Sequence, residues 1–120
     1  MQNLLNRNRN RTSDIRAYFV WGPYLRSDTV DLARVDTAKF MVPNAGYFWT
    51  PTDRLARALS SVLRLPAGRL AWDVYLVYGK GVSWEKTFPA PTYWQHQIGV
   101  IQGEPLNMAK FQSKIQELLQ

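Results

Sequence analysis

The chain has 120 residues, 15 Lys+Arg against 9 Asp+Glu, one His, no Cys and a formal net charge of +6, a length that makes one domain with a core of its own. The absent cysteines exclude disulfides, thiolate nucleophiles, iron–sulfur clusters and Cys-bearing zinc sites together. No apolar run approaches the roughly 18–20 residues of a membrane span and no apolar h-region follows Met1, so the expectation is a soluble, cytoplasmic, aromatic-rich domain.

Residues 1–13 form a basic polar segment and residues 14–120 a single domain. Arg7, Arg9 and Arg11 stand in an Asn/Arg stretch with no acid before Asp14. They are candidate phosphate contacts, because guanidinium groups neutralise phosphates and release counterions. A solvated tail explains them equally simply, and carries more weight. Ile15–Trp21 predicts a strand, closed by Gly22-Pro23. Its last residues are apolar without alternation, as in a strand covered on both faces. Ser27 or Asp28 caps a helix to about Phe40, with Val30, Ala33, Thr37 and Phe40 as its apolar stripe. Tyr47–Trp49 follows as a short strand.

Thr50-Pro51-Thr52-Asp53 is the clearest local signal: an N-cap, a proline at the first helical position and an acid three residues after the cap. Leu55, Ala58, Leu59, Val62 and Leu63 then repeat with helical spacing, and the helix ends near Leu65. Arg54, Arg57 and Arg64 lie off that stripe, on a solvated face; with Arg69 they make a second basic group offset only by Asp53. Leu70–Tyr78 reads as the longest strand, apolar on both sides and therefore central. Gly79-Lys80-Gly81 turns it into an antiparallel return at Val82–Trp84. Phe88-Pro89-Ala90-Pro91 is a rigid loop before Thr92–Gln97, Val100-Ile101 is a brief edge element, and Asn107–Leu119 is the last helix. Met108, Phe111, Ile115, Leu118 and Leu119 share one of its faces.

Strands alternating with helices predict an α/β fold. The element order, with Ala71–Tyr78, Trp84, Pro89-Ala90-Pro91 and Tyr93-Trp94-Gln95-His96-Gln97, resembles the thioredoxin-like family, in its thiol–disulfide and peroxiredoxin-like branch. The resemblance covers residues 12 to 119 and implies a mixed sheet flanked by helices. It also implies that the family's first strand and its Cys-x-x-Cys turn would lie before Met1, so that this chain is a shortened member, incomplete at the N-terminus. Two departures bear on activity. Thiol–disulfide exchange needs a thiolate and this chain has none. The family's cis-Pro before the hairpin is replaced by Leu70-Ala71-Trp72. A sheet without its first strand leaves an edge to be covered by a second copy or another protein.

Among single residues, Asp73 interrupts an apolar strand. A buried carboxylate needs an Arg or N–H partner, and Asp73 is the candidate buried acid. His96 has no second His or Cys to share a metal, so it reads as a loop or rim histidine and no metal or cofactor is expected. Trp84, Tyr93, Trp94 and His96 form the candidate ligand or partner surface; a loop folding its aromatics over the sheet is the plainer account. Gly79-x-Gly81 is a turn, not a phosphate loop, and no serine sits in a nucleophile elbow. The expected function is a non-catalytic interaction or assembly module, a homo-oligomer or a partner of another protein. One alternative is nucleic-acid binding through the N-terminal arginines. The other is a small enzyme using Asp73 and the Trp84–His96 region, which requires a concave pocket holding both.

Overall fold

The computed structural model describes residues 15–23, 45–99 and 101–120. These fall into two compact units, one up to Asp53 and one from Arg54 to Gln120. The first holds a two-stranded sheet, the second two helices and a three-stranded sheet, so the chain is mixed α/β. No helix of the described residues is long and apolar enough to cross a membrane. The helix expected at 28–40 lies outside the described residues, as do Arg7, Arg9 and Arg11.

In the first unit β1 (Ala17–Trp21) pairs in parallel with β2 (Ala45–Trp49), from Ala17↔Ala45 to Trp21↔Trp49. The Thr50 N–H prolongs the ladder by donating to the Trp21 carbonyl at 2.8 Å. Alternation sends odd-numbered residues to one side and even-numbered ones to the other. On the odd side Phe19 stacks on Tyr47, ring centroids 5.2 Å apart. On the even side Tyr18, Val20 and Phe48 are 61, 45 and 54% exposed.

The second unit opens with α1 (Arg54–Val62). The cap expected at Thr50 does not form. Its N–H donates to the Trp21 carbonyl and its hydroxyl to the Thr52 carbonyl at 3.1 Å, and the helix begins only after Asp53. Its far end is a left-handed cap: Arg64 takes φ 56°, the Leu65 N–H reaches the Ser60 carbonyl at 3.0 Å and the Arg64 N–H reaches Ser61 at 3.2 Å. Leu59 and Leu63 form the core with Ala71, and Leu55, Leu65, Val74, Leu76 and Trp94 pack around it.

The strand expected at 70–78 is shorter and differently placed. The Ala71 N–H donates to Ser60 Oγ at 2.9 Å and to the Ala56 carbonyl at 3.4 Å. Bound to α1 in this way, residues 70–72 leave the sheet, and β3 spans only Val74–Val77. It is an outer strand. The order is β3-β4-β5, with β4 (Tyr93–His96) in the centre, antiparallel to β3 and parallel to β5 (Glu104–Pro105). The expected return at 82–84 makes no ladder. The Val82 N–H closes a turn on Gly79 at 3.4 Å, and the chain rejoins β3 only after two prolines, where the Thr92 N–H meets the Val77 carbonyl at 2.8 Å. Ile101 is outside any strand, Val100 lies outside the described residues, and the edge pairing falls at Glu104–Pro105 instead.

The closing helix α2 (Met108–Leu119) starts where the sequence places it, at an Asn107 cap whose side chain accepts from the Lys110 N–H at 3.0 Å. Of its predicted apolar face only Phe111 is buried; Met108 and Leu118 are exposed. The Phe111 ring contacts Tyr75 on β3 and Tyr93 on β4, with centroids 6.2 and 6.1 Å away, which docks the helix across both strands.

Candidate functional site

β4 carries the most polar chemistry in the described residues, because its central position buries what it holds. Gln95 is 0% exposed and fully engaged. Its Oε1 accepts from the Asn107 N–H at 2.8 Å and its Nε2 donates to the Tyr93 hydroxyl at 2.8 Å. That hydroxyl donates in turn to Glu104 Oε2 at 2.8 Å. The same carboxylate oxygen meets Lys110 Nζ at 2.7 Å. Lys110 and then the Tyr93 hydroxyl hold the Glu104 carboxyl below its ordinary range, and Glu104 raises the Lys110 ammonium in return. The two shifts agree in sign, as an ion pair requires. Lys114 lies over the Tyr93 ring at 5.8 Å. This relay escaped the sequence reading. Its one legible sign is a Gln in the middle of an apolar-flanked strand.

His96 is 2% exposed, so the loop or rim placement expected from sequence is corrected. As the last residue of the central strand it points into the unit. Its Nδ1 accepts from the Ile98 N–H at 3.3 Å. Nε2 has no hydrogen-bond partner. The Trp94 ring lies 5.7 Å away.

Asp73 stands just ahead of β3, half-buried. Desolvation pushes its carboxyl above the ordinary 3.8; the Tyr75 hydroxyl and the nearby His96 pull the other way. Its partners are therefore not an arginine but a tyrosine and an imidazole. Desolvation also raises the Tyr75 hydroxyl, with the Asp73 charge adding to it. That hydroxyl donates to Gln97 Oε1 at 2.9 Å, and the Gln97 N–H donates to the Asp73 carbonyl at 2.9 Å. Asp73, Tyr75, His96 and Gln97 thus meet at one end of the β3–β4 pair.

The four residues expected to form one partner surface separate in the structure. Trp84 is 43% exposed, Tyr93 and Trp94 are half-buried, and His96 is buried. Trp94 packs on the core and over Gly103. Trp84 belongs to a different group in the loop between β3 and β4. It meets Tyr78 edge-on at 5.3 Å and Phe88 at 4.9 Å. The Tyr78 hydroxyl, donating to the Pro89 carbonyl at 3.1 Å, pins the loop. Val82, Trp84 and Phe88 all remain exposed, so these aromatics do not fold away over the sheet.

An open depression of about 420 Å³ lies beside the C-terminal part of α1, lined by Arg57, Ser60, Ser61 and residues 65–70. It holds neither Asp73 nor His96. Among the described residues no three His, Asp or Glu side chains converge to hold a metal. No protein-family model matches the chain, and no curated protein and no solved structure matches it.

Proposed function

We propose that this chain is a non-catalytic interaction or assembly module, thioredoxin-like in arrangement, which associates with a second copy through the outer face of the β1–β2 pair. The observation that carries the reading is the exposure of Tyr18, Val20 and Phe48, at 61, 45 and 54%, on one face of a parallel pair. Parallel sheets are covered on both faces in stable domains, because their residues are apolar on both. The even face carries an aromatic contact of its own, Tyr18 to Phe48 at 6.1 Å, and has no charged side chain between Ala17 and Trp21 or Ala45 and Trp49. An uncharged patch suits self-association in a chain of net charge +6, and a symmetric pair of identical patches is the commonest arrangement of soluble oligomers. The thioredoxin-like arrangement draws support from the parallel pair followed by a helix, an antiparallel pair and a closing helix.

Light scattering after size exclusion, at low and high protein concentration, tests this. The parent associates, and Val20→Lys or Phe48→Lys shifts the dissociation constant up by at least about tenfold, the equivalent of about 1.4 kcal/mol. Circular dichroism confirms that each variant is folded. A parent that stays monomeric at every concentration removes the proposal.

A further inference from the structure

We propose that the depression beside α1 is a binding site for a phosphate-bearing ligand, gripped by Arg57 and Arg69. The inference goes beyond the assembly role and rests on different residues. Its basis is a juxtaposition made by the fold. Helical spacing sets Arg57, Ser60 and Ser61 on one side of α1. The left-handed cap at Arg64 turns the chain, and the Arg69 N–H closes the next turn on the Pro66 carbonyl at 3.0 Å. Arg69 is thereby brought to the same depression as Arg57, although twelve positions separate them in the sequence.

The lining has the chemistry of an anion site. It contains two arginines and two serines. Both arginines are exposed at the surface, within reach of a ligand, and arginine's planar fork suits the oxygens of a phosphate. The hydroxyls have distinct duties. Ser60 Oγ donates to the Ala56 carbonyl at 2.7 Å and accepts from the Ala71 N–H, so it builds the wall. Ser61 Oγ donates to the Arg57 carbonyl over a long 3.4 Å, a bond that exchanges readily for a phosphate oxygen. A volume of about 420 Å³ exceeds what a bare ion needs and falls in the range of small-ligand clefts. The ligand is a phosphate carried on a larger group, either a small phosphorylated molecule or a nucleic-acid backbone.

The test uses the full chain, labelled for amide NMR, titrated with inorganic pyrophosphate and separately with a single-stranded oligonucleotide. Binding moves the amides of residues 57–70. The Arg57→Gln/Arg69→Gln double variant weakens it by at least about tenfold, as the loss of charge-assisted bonds demands. Arg57→Lys/Arg69→Lys keeps the charge and retains part of the affinity, which separates ligand contact from packing. If pyrophosphate produces these shifts, the source is a small phosphorylated molecule. If only the oligonucleotide does, the source is a backbone, and the salt slope of its binding falls by about 1.4 in the glutamine variant, about 0.7 for each lost phosphate contact. The proposal is overturned if the amides of 57–70 stay unmoved by both probes at millimolar concentration. It is equally overturned if the glutamine variant binds both probes as the parent does.

Discussion

Asp73 sits between opposing influences, and their balance has a direction. Burial raises its carboxyl above 3.8, while Tyr75 and His96 only partly offset this. The folded state therefore holds the proton more readily than the unfolded chain. Stability contributed by this site falls as pH rises from the unfolded value through the folded one, and the penalty is complete above that. Asp73→Asn should raise the thermal midpoint at neutral pH and leave it unchanged below about pH 3, where both states are protonated; an unchanged midpoint at neutral pH contradicts the burial argument. Gly103 is constrained by space as well as by conformation. Its φ is +99°, and a Cβ there would lie 2.5 Å from the Trp94 ring, which is itself packed on the core. Gly103→Ala should cost about 1–3 kcal/mol, read from denaturant unfolding, since backbone strain and the displaced ring act together. Asp73 was legible in the sequence as a charge beside an apolar run. The burial of His96 was not, because nothing within Tyr93–Gln97 says that a second strand lies on each side of it.

At the scale of elements, local signals and long-range ones fared differently. α2 begins at its Asn cap as the sequence implies, because a cap is a contact between residues three apart. α1 starts after Asp53 rather than at Pro51, and Thr50 instead prolongs the parallel ladder through its N–H to the Trp21 carbonyl, a partner far away in sequence. The strand at 70–78 lost its first residues because the Ala71 N–H bonds to Ser60 and Ala56 of α1, again partners distant in sequence. Gln95 is the joint between the sheet and α2: it holds the Asn107 N–H at the helix entry and the Tyr93 hydroxyl on its own strand. Gln95→Leu should destabilise the protein by about 1–3 kcal/mol, because it strips a partner from a backbone donor at a helix start without supplying another. Asn107→Ala should cost about 1 kcal/mol, the loss of a cap alone. A Gln95→Leu variant as stable as the parent in urea unfolding would show that Gln95 is merely filling space.

For the molecule as a whole, the charge of +6 opposes the self-association proposed for the β1–β2 face. Copies that meet through an uncharged patch repel one another through their net charge, and salt screens that repulsion. Dimerisation should accordingly tighten as ionic strength rises from about 0.01 to 0.15 M, over which the screening length shortens from roughly 30 to 8 Å. Weakening with salt would mean that ion pairs hold the copies together. The sequence by itself determined the mixed α/β class, the positions of the described helices to within a turn, the apolar character of β1, β2 and β3 and, through its missing cysteines, the exclusion of thiol–disulfide chemistry. These follow from period, capping and composition, all of which are local. Only the tertiary structure decided that β4 and not β3 is central, that His96 and Gln95 are buried, that Trp84 parts from Tyr93 and Trp94, and that Arg57 and Arg69 share one depression. The physical reason is common to all four. Strand order and burial depend on which distant backbone donors and acceptors find each other, and an apolar strand satisfies its own pattern equally well at an edge or in the middle of a sheet.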